Sequence, residues 1–364
     1  MTVSVVTYTA DDREAFIDLH EELLGGISSD VFRWKYEQPP GVDTPRIAVA
    51  RDGDEVVGAV GALYVPLRWD GAPIEASHPM DIMVAESHRG AKLFTELVGK
   101  LRDGYDDIAV EFGTGARESR IAWERFGGWT YSAVDRNVRI QRPEALLDDA
   151  GPVRTALSAL AGGSLRAVLR VRDTASMHTE TFDVSRTAGY EDSAFDVQDR
   201  WSPYPVSIRR DSAYWTWRVS DPRLDAYTYW VTESGSPIAS VLVACRSDGG
   251  RKDVVIALQD YRDDDGGFAA LVSIYERIIQ DHRDATVVRT LNNSLGEIRR
   301  TTGLTHNRLL KRIGDTDLAE TITAHTDIAS DVDEWDRKPV GYNWLGSDEG
   351  AAPSAWEYSD LIVD

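Results

Sequence analysis

The sequence is poor in cysteine. Its 364 residues include one, Cys245, which excludes an internal disulfide and a cysteine-built metal centre. Cys245 lies in the apolar run 239–245, where a core thiol is expected rather than a nucleophile. Basic residues are also short, with 40 Lys and Arg against 61 Asp and Glu and a formal net charge of −21. A surface this acidic repels nucleic-acid backbones and anionic membranes, so neither is an expected partner. It resembles a halophile-like surface, which stays hydrated in concentrated salt. No apolar run is long enough to cross a bilayer, and the N-terminus lacks a basic-then-apolar leader pattern. A cytoplasmic protein is expected. The acidic run 260–265 has no histidine or further carboxylate constellation around it, so it reads as a solvated turn and not a metal site.

Hydrophobic residues make up 42% of the chain, and the length suits two average domains. Residues 10–24 carry Ala15, Phe16, Leu19, Leu23 and Leu24 at helical spacing, closed by Gly25-Gly26. An aromatic cluster follows: Phe32, Trp34 and Tyr36, then Pro39-Pro40. Residues 46–51 and 55–65 read as two strands joined at the turn Asp52-Gly53-Asp54. A strand over 80–84, a helix over 90–102, a strand over 107–112, a short helix over 119–126 and a strand over 129–140 complete a mixed α/β unit.

From about residue 181 this order restarts. Phe32-Arg33-Trp34-Lys35 and Pro39 align with Trp215-Thr216-Trp217-Arg218 and Pro222. Each segment is followed by a strand hairpin, a strand, and a helix that begins at glycine: Gly90 in the first half, Gly266-Gly267 in the second. The chain therefore reads as two related α/β modules, each a mixed, mostly antiparallel sheet flanked by helices. They span 1–142 and 173–315, with a helical connector over 143–172 and an acidic, aromatic-containing tail over 316–364. Trp34 and Trp217 read as packing residues of the repeat.

The stretch Asp81-Ile82-Met83-Val84-Ala85-Glu86-Ser87-His88-Arg89-Gly90-Ala91-Lys92-Leu93-Phe94 is strand, tight loop and helix. A helix N-terminus offers unpaired N–H groups and a favourable dipole to an anion, and an adjacent arginine adds to the attraction. The stretch resembles the acyl-CoA-binding motif of the GCN5-related N-acetyltransferase (GNAT) superfamily. The segment around Trp34-Lys35-Tyr36 and the ending Trp123-Glu124-Arg125-Phe126-Gly127-Gly128-Trp129 are also similar to that superfamily. The resemblance implies a tandem GNAT protein that takes acetyl-CoA or another CoA thioester and an amine acceptor. Carried over, it places Arg89, Gly90, Ala91, Lys92 and Leu93 at the pyrophosphate, and Val84 and Ala85 beside the pantetheine.

Departures from the motif are chemical. Lys92 stands where the family's second loop glycine is expected, and Phe94 where a Gly or Ala is. Trp123 takes the position of the tyrosine that protonates the departing thiolate, and indole has no acidic proton to give. Tyr131 and Tyr105 are possible substitutes. In the second module, Asp263-Asp264-Asp265 precedes Gly266, and three carboxylates there predict no CoA binding.

Two carboxylates are candidates for catalysis. Asp81 alternates with Met80, Ile82 and Val84, which would share the other face of the strand. It reads as a general base, an acceptor-amine anchor, or a buried aspartate satisfied by the backbone. Glu111 on the next strand is the second candidate. His78 and His88 are candidate proton carriers by residue type, but both are expected to be exposed loop residues. The functional expectation is an acyl-CoA-dependent N-acyltransferase acting on a small molecule. The alternatives are a non-catalytic acyl-CoA-binding or scaffold protein, or a tandem-GNAT aminoacyl transferase.

Overall fold

A computed structural model describes residues 3–104, 108–113, 117–142, 182–200, 206–248, 250–291, 305–306 and 337–344. The first module runs β1 (Ser4–Thr7), α1 (Arg13–Leu24), α2 (Ser29–Phe32), β2 (Ile47–Asp52), β3 (Glu55–Trp69), β4 (Ala72–Val84), α3 (Ala91–Arg102), β5 (Ile108–Gly113), α4 (Arg117–Ala122) and β6 (Thr130–Ile140). The second runs β7 (Ser185–Ala188), β8 (Val206–Ile208), α5 (Ser212–Arg218), β9 (Leu224–Glu233), β10 (Ser236–Asp248), β11 (Arg251–Tyr261), α6 (Asp265–Asp281), β12 (Val287–Leu291) and β13 (Thr305–His306). Strand β14 (Arg337–Trp344) follows. The expected connector over 143–172, the glycine-closed helix near Gly303, Tyr105 and the side chain of Tyr131 lie outside the described residues. Among the described residues, no helix is long and apolar enough to cross a membrane.

Two mixed sheets meet at β6. The strand order is β1-β2-β3-β4-β5-β14-β6-β12-β11-β10-β9-β7. Residues 130–135 of β6 pair with β14, and residues 136–140 pair with β12. The first module thus lends half a strand to the second sheet. Part of the expected acidic tail returns as β14, filling the first sheet between β5 and β6. Such an exchange leaves neither sheet with an open edge at that point.

Apolar side chains on each face explain the layers. On one side, α3 places Leu93, Leu97 and Leu101, spaced by four, against Ala48, Ala50, Val57 and Val60. On the other, α1 and α2 bring Phe16, Leu19 and Phe32 against Ile47, Val49, Ala59 and Met83. The second module repeats the scheme, with Ala270, Leu271, Ile274 and Ile278 of α6 on Val241, Val243, Val254 and Ile256. A third cluster joins the modules: Val31, Trp34, Leu63 and Val65 pack with Phe195, Trp215, Trp217, Leu242 and Leu258.

The repeat is visible in this seam. Trp34 Nε1 donates to the Trp217 carbonyl at 2.9 Å, and Trp217 Nε1 donates to the Trp34 carbonyl at 2.8 Å. The two rings stack with centroids 5.4 Å apart. A contact in which residue i meets j as j meets i is what a two-fold relation produces, so the aligned tryptophans lie across a local pseudo-two-fold axis. Strand β8 adds to the seam by pairing with Leu67, Arg68 and Trp69 at the end of β3.

Candidate functional site

The parallel strands β4 and β5 pair only briefly, through Glu75–Ile108, Ala76–Val110 and Ser77–Glu111. Beyond Ser77, β4 continues for residues 78–84 with no strand partner on that edge among the described residues. The sheet is therefore forked. At the base of the fork lies His78, buried and stacked on Phe112 at 5.7 Å. A Cβ on Gly113 would come within 2.5 Å of this imidazole, so glycine makes its position possible. This corrects the expectation that His78 is an exposed loop residue. His88 is part-buried, its Nε2 3.3 Å from Asp52 Oδ2, which ties the loop to the β2–β3 turn.

The loop after β4 ends at Gly90, where α3 begins. Phe94 N donates to Gly90 O at 3.5 Å, so the N–H groups of Ala91, Lys92 and Leu93 precede the first intrahelical bond. No side chain caps this terminus, and a Cβ on Gly90 would meet nothing within 4 Å. Arg89 is exposed, with Nε 3.5 Å from the Val84 carbonyl. The Lys92 side chain is 89% exposed and reaches Glu96 at 3.3 Å. Leu93 is buried under the helix, whereas Val84 and Ala85 are half-buried beside the fork.

The corresponding helix of the second module is closed. Asp264 Oδ1 accepts from Gly267 N at 2.7 Å, capping α6, and Asp264 Oδ2 accepts from Arg262 Nε at 2.5 Å. A Cβ on Gly267 would lie 2.2 Å from the Arg262 carbonyl, so the loop folds directly onto the helix start. The protein's own carboxylate sits where an anion would go.

Asp81 sits in a β-bulge. Ala59 pairs with Met83 and Gly61 with Met80, so β4 spends one residue more than β3 there. Its φ of +49 accompanies the bulge. The extra residue resets the alternation. Ile82 and Val84 face α3, while Met80, Asp81 and Met83 share the opposite side. Met80 thus departs from the expected face, and the strict two-residue period fails at this point.

Three side chains converge on Asp81 Oδ2: Lys35 Nζ at 2.7 Å, Tyr36 OH at 2.6 Å and His20 Nε2 at 3.7 Å. Oδ1 accepts no hydrogen bond among the described residues. Burial pushes this carboxyl up, but the Lys35 charge and the hydrogen bonds from His20, Lys35 and Tyr36 prevail and hold it far below the usual range. Burial lowers the Lys35 ammonium and raises the Tyr36 phenol. Lys35 and Tyr36 come from a wide turn, Arg33–Glu37, closed by Gln38 N donating to Arg33 O at 3.0 Å. The turn spreads its side chains, sending Trp34 to the second module and Lys35 and Tyr36 to Asp81.

Glu111 is on the other face. It is wholly buried and held by Arg102, through Nε to Oε1 at 3.0 Å and Nη2 to Oε2 at 2.5 Å, and by Trp129 Nε1 at 3.1 Å. Arg102 Nη2 also donates to the Gly127 carbonyl at 2.7 Å. The structure therefore does not bring the two candidate carboxylates together. Trp123 is core, edge-on to Phe94 at 5.1 Å and tilted on Trp129 at 4.5 Å. Sequence reasoning missed Lys35, Tyr36 and His20 as the partners of Asp81. Their basic and hydroxyl chemistry was the available signal, but the contacts span more than forty residues.

A mixed sheet forked at its centre, with an uncapped helix N-terminus beside the fork, defines the class of the fold: an α/β protein with two mixed sheets. Residues 4–131 match the family described as acetyltransferase (GNAT) domain. No curated protein sequence matches the chain. Among solved structures it is similar to a tandem GNAT protein from the clavulanic acid biosynthesis pathway, at 11% identity over 95% of this chain and 99% of that one, with a TM-score of 0.52. It is also similar to a GCN5-related N-acetyltransferase from Anabaena variabilis, at 9% identity over 82% and 68%, with a TM-score of 0.52. Saccharomyces cerevisiae N-myristoyltransferase with bound myristoyl-CoA gives 10% identity over 82% and 74%, with a TM-score of 0.51. At such identities these likenesses speak for the fold. Residues 4–131 match a GNAT domain, and the two sheets give the chain the fold of two GNAT-like modules.

Proposed function

We propose that the first module is an acyl-CoA-dependent N-acyltransferase, most simply an N-acetyltransferase, that moves the acyl group of a CoA thioester to the amine of a small molecule. The observation that carries this reading is the uncapped N-terminus of α3 at the open fork between β4 and β5. The N–H groups of Gly90, Ala91, Lys92 and Leu93 are placed for a pyrophosphate, with the Arg89 and Lys92 side chains as flanking cations. The unpaired edge of β4, ending at Val84 and Ala85, suits the amide-bearing pantetheine arm. The capped terminus of α6 supports assigning no CoA to the second module.

In the overall reaction a bond forms between amine nitrogen and acyl carbon, the carbon–sulfur bond breaks, the amine gives up a proton and the thiolate gains one. A carboxylate held as strongly ionised as Asp81 is a weak base. It serves better as an anchor, accepting an N–H of the incoming amine on Oδ1. Glu111 has both oxygens engaged, so its role in this reading is positional: it fixes the end of α3 against β5 and the start of β6.

Calorimetry with acetyl-CoA, followed by thiol release across an amine panel, tests the proposal. Binding and turnover support it, and absence of binding in both low and high salt refutes it. The second reading, binding without turnover, is favoured by the burial of Trp123 where an acid is expected. Binding with no thiol release from any amine would select it.

A further inference from the structure

The fork has a floor, and the floor is aromatic. The last pair that holds β4 to β5 is Ser77–Glu111, and His78 is the next residue on β4. Its imidazole reaches across to β5. It stacks on Phe112 with centroids 5.7 Å and planes 16° apart. It also lies over Gly113, where a Cβ would stand 2.5 Å from its Cδ2 and 2.7 Å from its Nε2. The Trp129 ring comes within 3.4 Å of the same point. His78, Phe112 and Trp129 are all buried. The imidazole thus bridges the two strands where they begin to part.

Strand length sets how far a thioester can travel before it meets this ring. Residues 78–84 run about 20 Å at about 3.3 Å per step. An extended pantetheine arm has about twelve bonds between phosphate oxygen and sulfur, which is the reach of about four residues at three backbone bonds each. Laid along the open edge of β4 from Val84, it brings the sulfur level with Met80, next to Asp81. About 7 Å then separate the sulfur from His78. Van der Waals clearance takes about 3.5 Å of that. The remainder holds about two or three bonds at about 1.2 Å each, the length of an acetyl or a propionyl group. Resting on the transferase reading above, we propose that His78 is the stop of the acyl site and restricts the donor to a short-chain acyl-CoA. A longer chain would have to displace a buried ring that is packed on Phe112 and over Gly113. Acyl length is then set by the sheet, and not by the loop that holds the anionic end.

The test titrates free CoA and acetyl-, propionyl-, hexanoyl- and octanoyl-CoA into the protein by calorimetry, and measures thiol release from each thioester with one accepted amine. Affinity and kcat/KM are expected to hold from acetyl to propionyl and to fall about tenfold or more at hexanoyl. In His78→Ala the hexanoyl-to-acetyl ratio should rise about tenfold or more, in binding as in turnover. His78→Phe keeps an aromatic ring against Phe112 and should keep the short-chain preference. A residue that only supports the fold would move all chain lengths together. A parent protein that takes octanoyl-CoA as readily as acetyl-CoA overturns the inference even if neither variant folds. So does a His78→Ala protein with an unaltered ratio, and both results leave the transferase reading standing. Failure of free CoA and of every thioester to bind overturns both.

Discussion

Replacing Gly61 by alanine tests how Asp81 is held. A glycine-to-alanine change in a strand with ordinary φ usually stabilises by about 0.4–1 kcal/mol, because it restricts the unfolded chain. Here the sign should reverse. A Cβ on Gly61 would stand 2.6 Å from Cε1 and from the hydroxyl of Tyr36, and 2.8 Å from its Cζ. Comfortable carbon–carbon contact begins near about 3.5 Å, so the ring would have to retreat by about 1 Å. It has nowhere to go: Tyr36 is fully buried, edge-on to Phe16 at 5.6 Å and tilted on Phe32 at 5.2 Å. Overpacking of this kind costs about 1–3 kcal/mol. Withdrawing the hydroxyl from the Asp81 carboxylate costs about 1.5–3 kcal/mol more. Urea denaturation should show Gly61→Ala destabilised by about 3–5 kcal/mol and Tyr36→Phe by about 2 kcal/mol. Because both act on one contact, the double variant should fall well short of their sum. A Gly61→Ala protein as stable as the parent would refute the path drawn here for Tyr36, and with it the account of what fixes Asp81.

Arg89→Ala should weaken acetyl-CoA binding by about three- to tenfold, as the loss of one exposed charge-assisted contact, while leaving the urea midpoint unmoved. Equal affinity in low salt would remove Arg89 from the site. Trp217→Phe strips the donor from the buried Trp34 carbonyl and should cost about 1–3 kcal/mol in chemical denaturation; an unchanged midpoint would count against the reciprocal lock. His282 is buried beside Tyr229 OH at 3.1 Å, and burial together with the Lys252 and Arg186 charges lowers its pKa to about 4. The unfolded chain takes up this proton near 6.5 and the folded chain only near 4, so stability is full above about 6.5 and declines as pH falls through that window. At about 1.4 kcal/mol per pKa unit, the loss approaches about 3 kcal/mol by pH 4. In a His282→Gln variant this part of the pH–stability slope should disappear, and persistence of the full slope would assign it to other groups.

The hairpin at Gly53, the strand before Arg89, helix α3 and the renewed order after residue 181 were all legible, because each depends on local periodicity and turn chemistry. So was the correspondence of Trp34 with Trp217, although not that the two would touch. What escaped notice is set by partners far away in the chain. The bulge that puts Met80 beside Asp81 exists only against Gly61 of β3. The burial of His78 depends on the space left by Gly113. The aromatics of the acidic tail suggest that it packs onto the body of the protein, but not that its strand β14 inserts between β5 and β6 to complete the first sheet. Asp81 and Glu111 look alike as carboxylates on neighbouring strands, and only the surrounding donors separate them.

The two modules share more than their order. In each, a parallel pair of strands is joined by three residue pairs and then parts, and in each the longer strand bulges against its antiparallel neighbour, at Gly61 and at Leu242/Val243. A fork and a bulge therefore do not by themselves make an anion site. The difference lies in the first residues of the following helix. Gly90 leaves the terminal N–H groups of α3 open, whereas Asp264 spends one of those of α6 on an internal carboxylate and Arg262 packs over it. A tethered carboxylate competes with any free anion at very high effective concentration, so the second terminus stays closed however well the sheet beneath it matches the first. The same module nonetheless presents Arg218 and Arg223 to Trp34. The two modules thus diverge at these helix starts, while the paired tryptophans keep them in register.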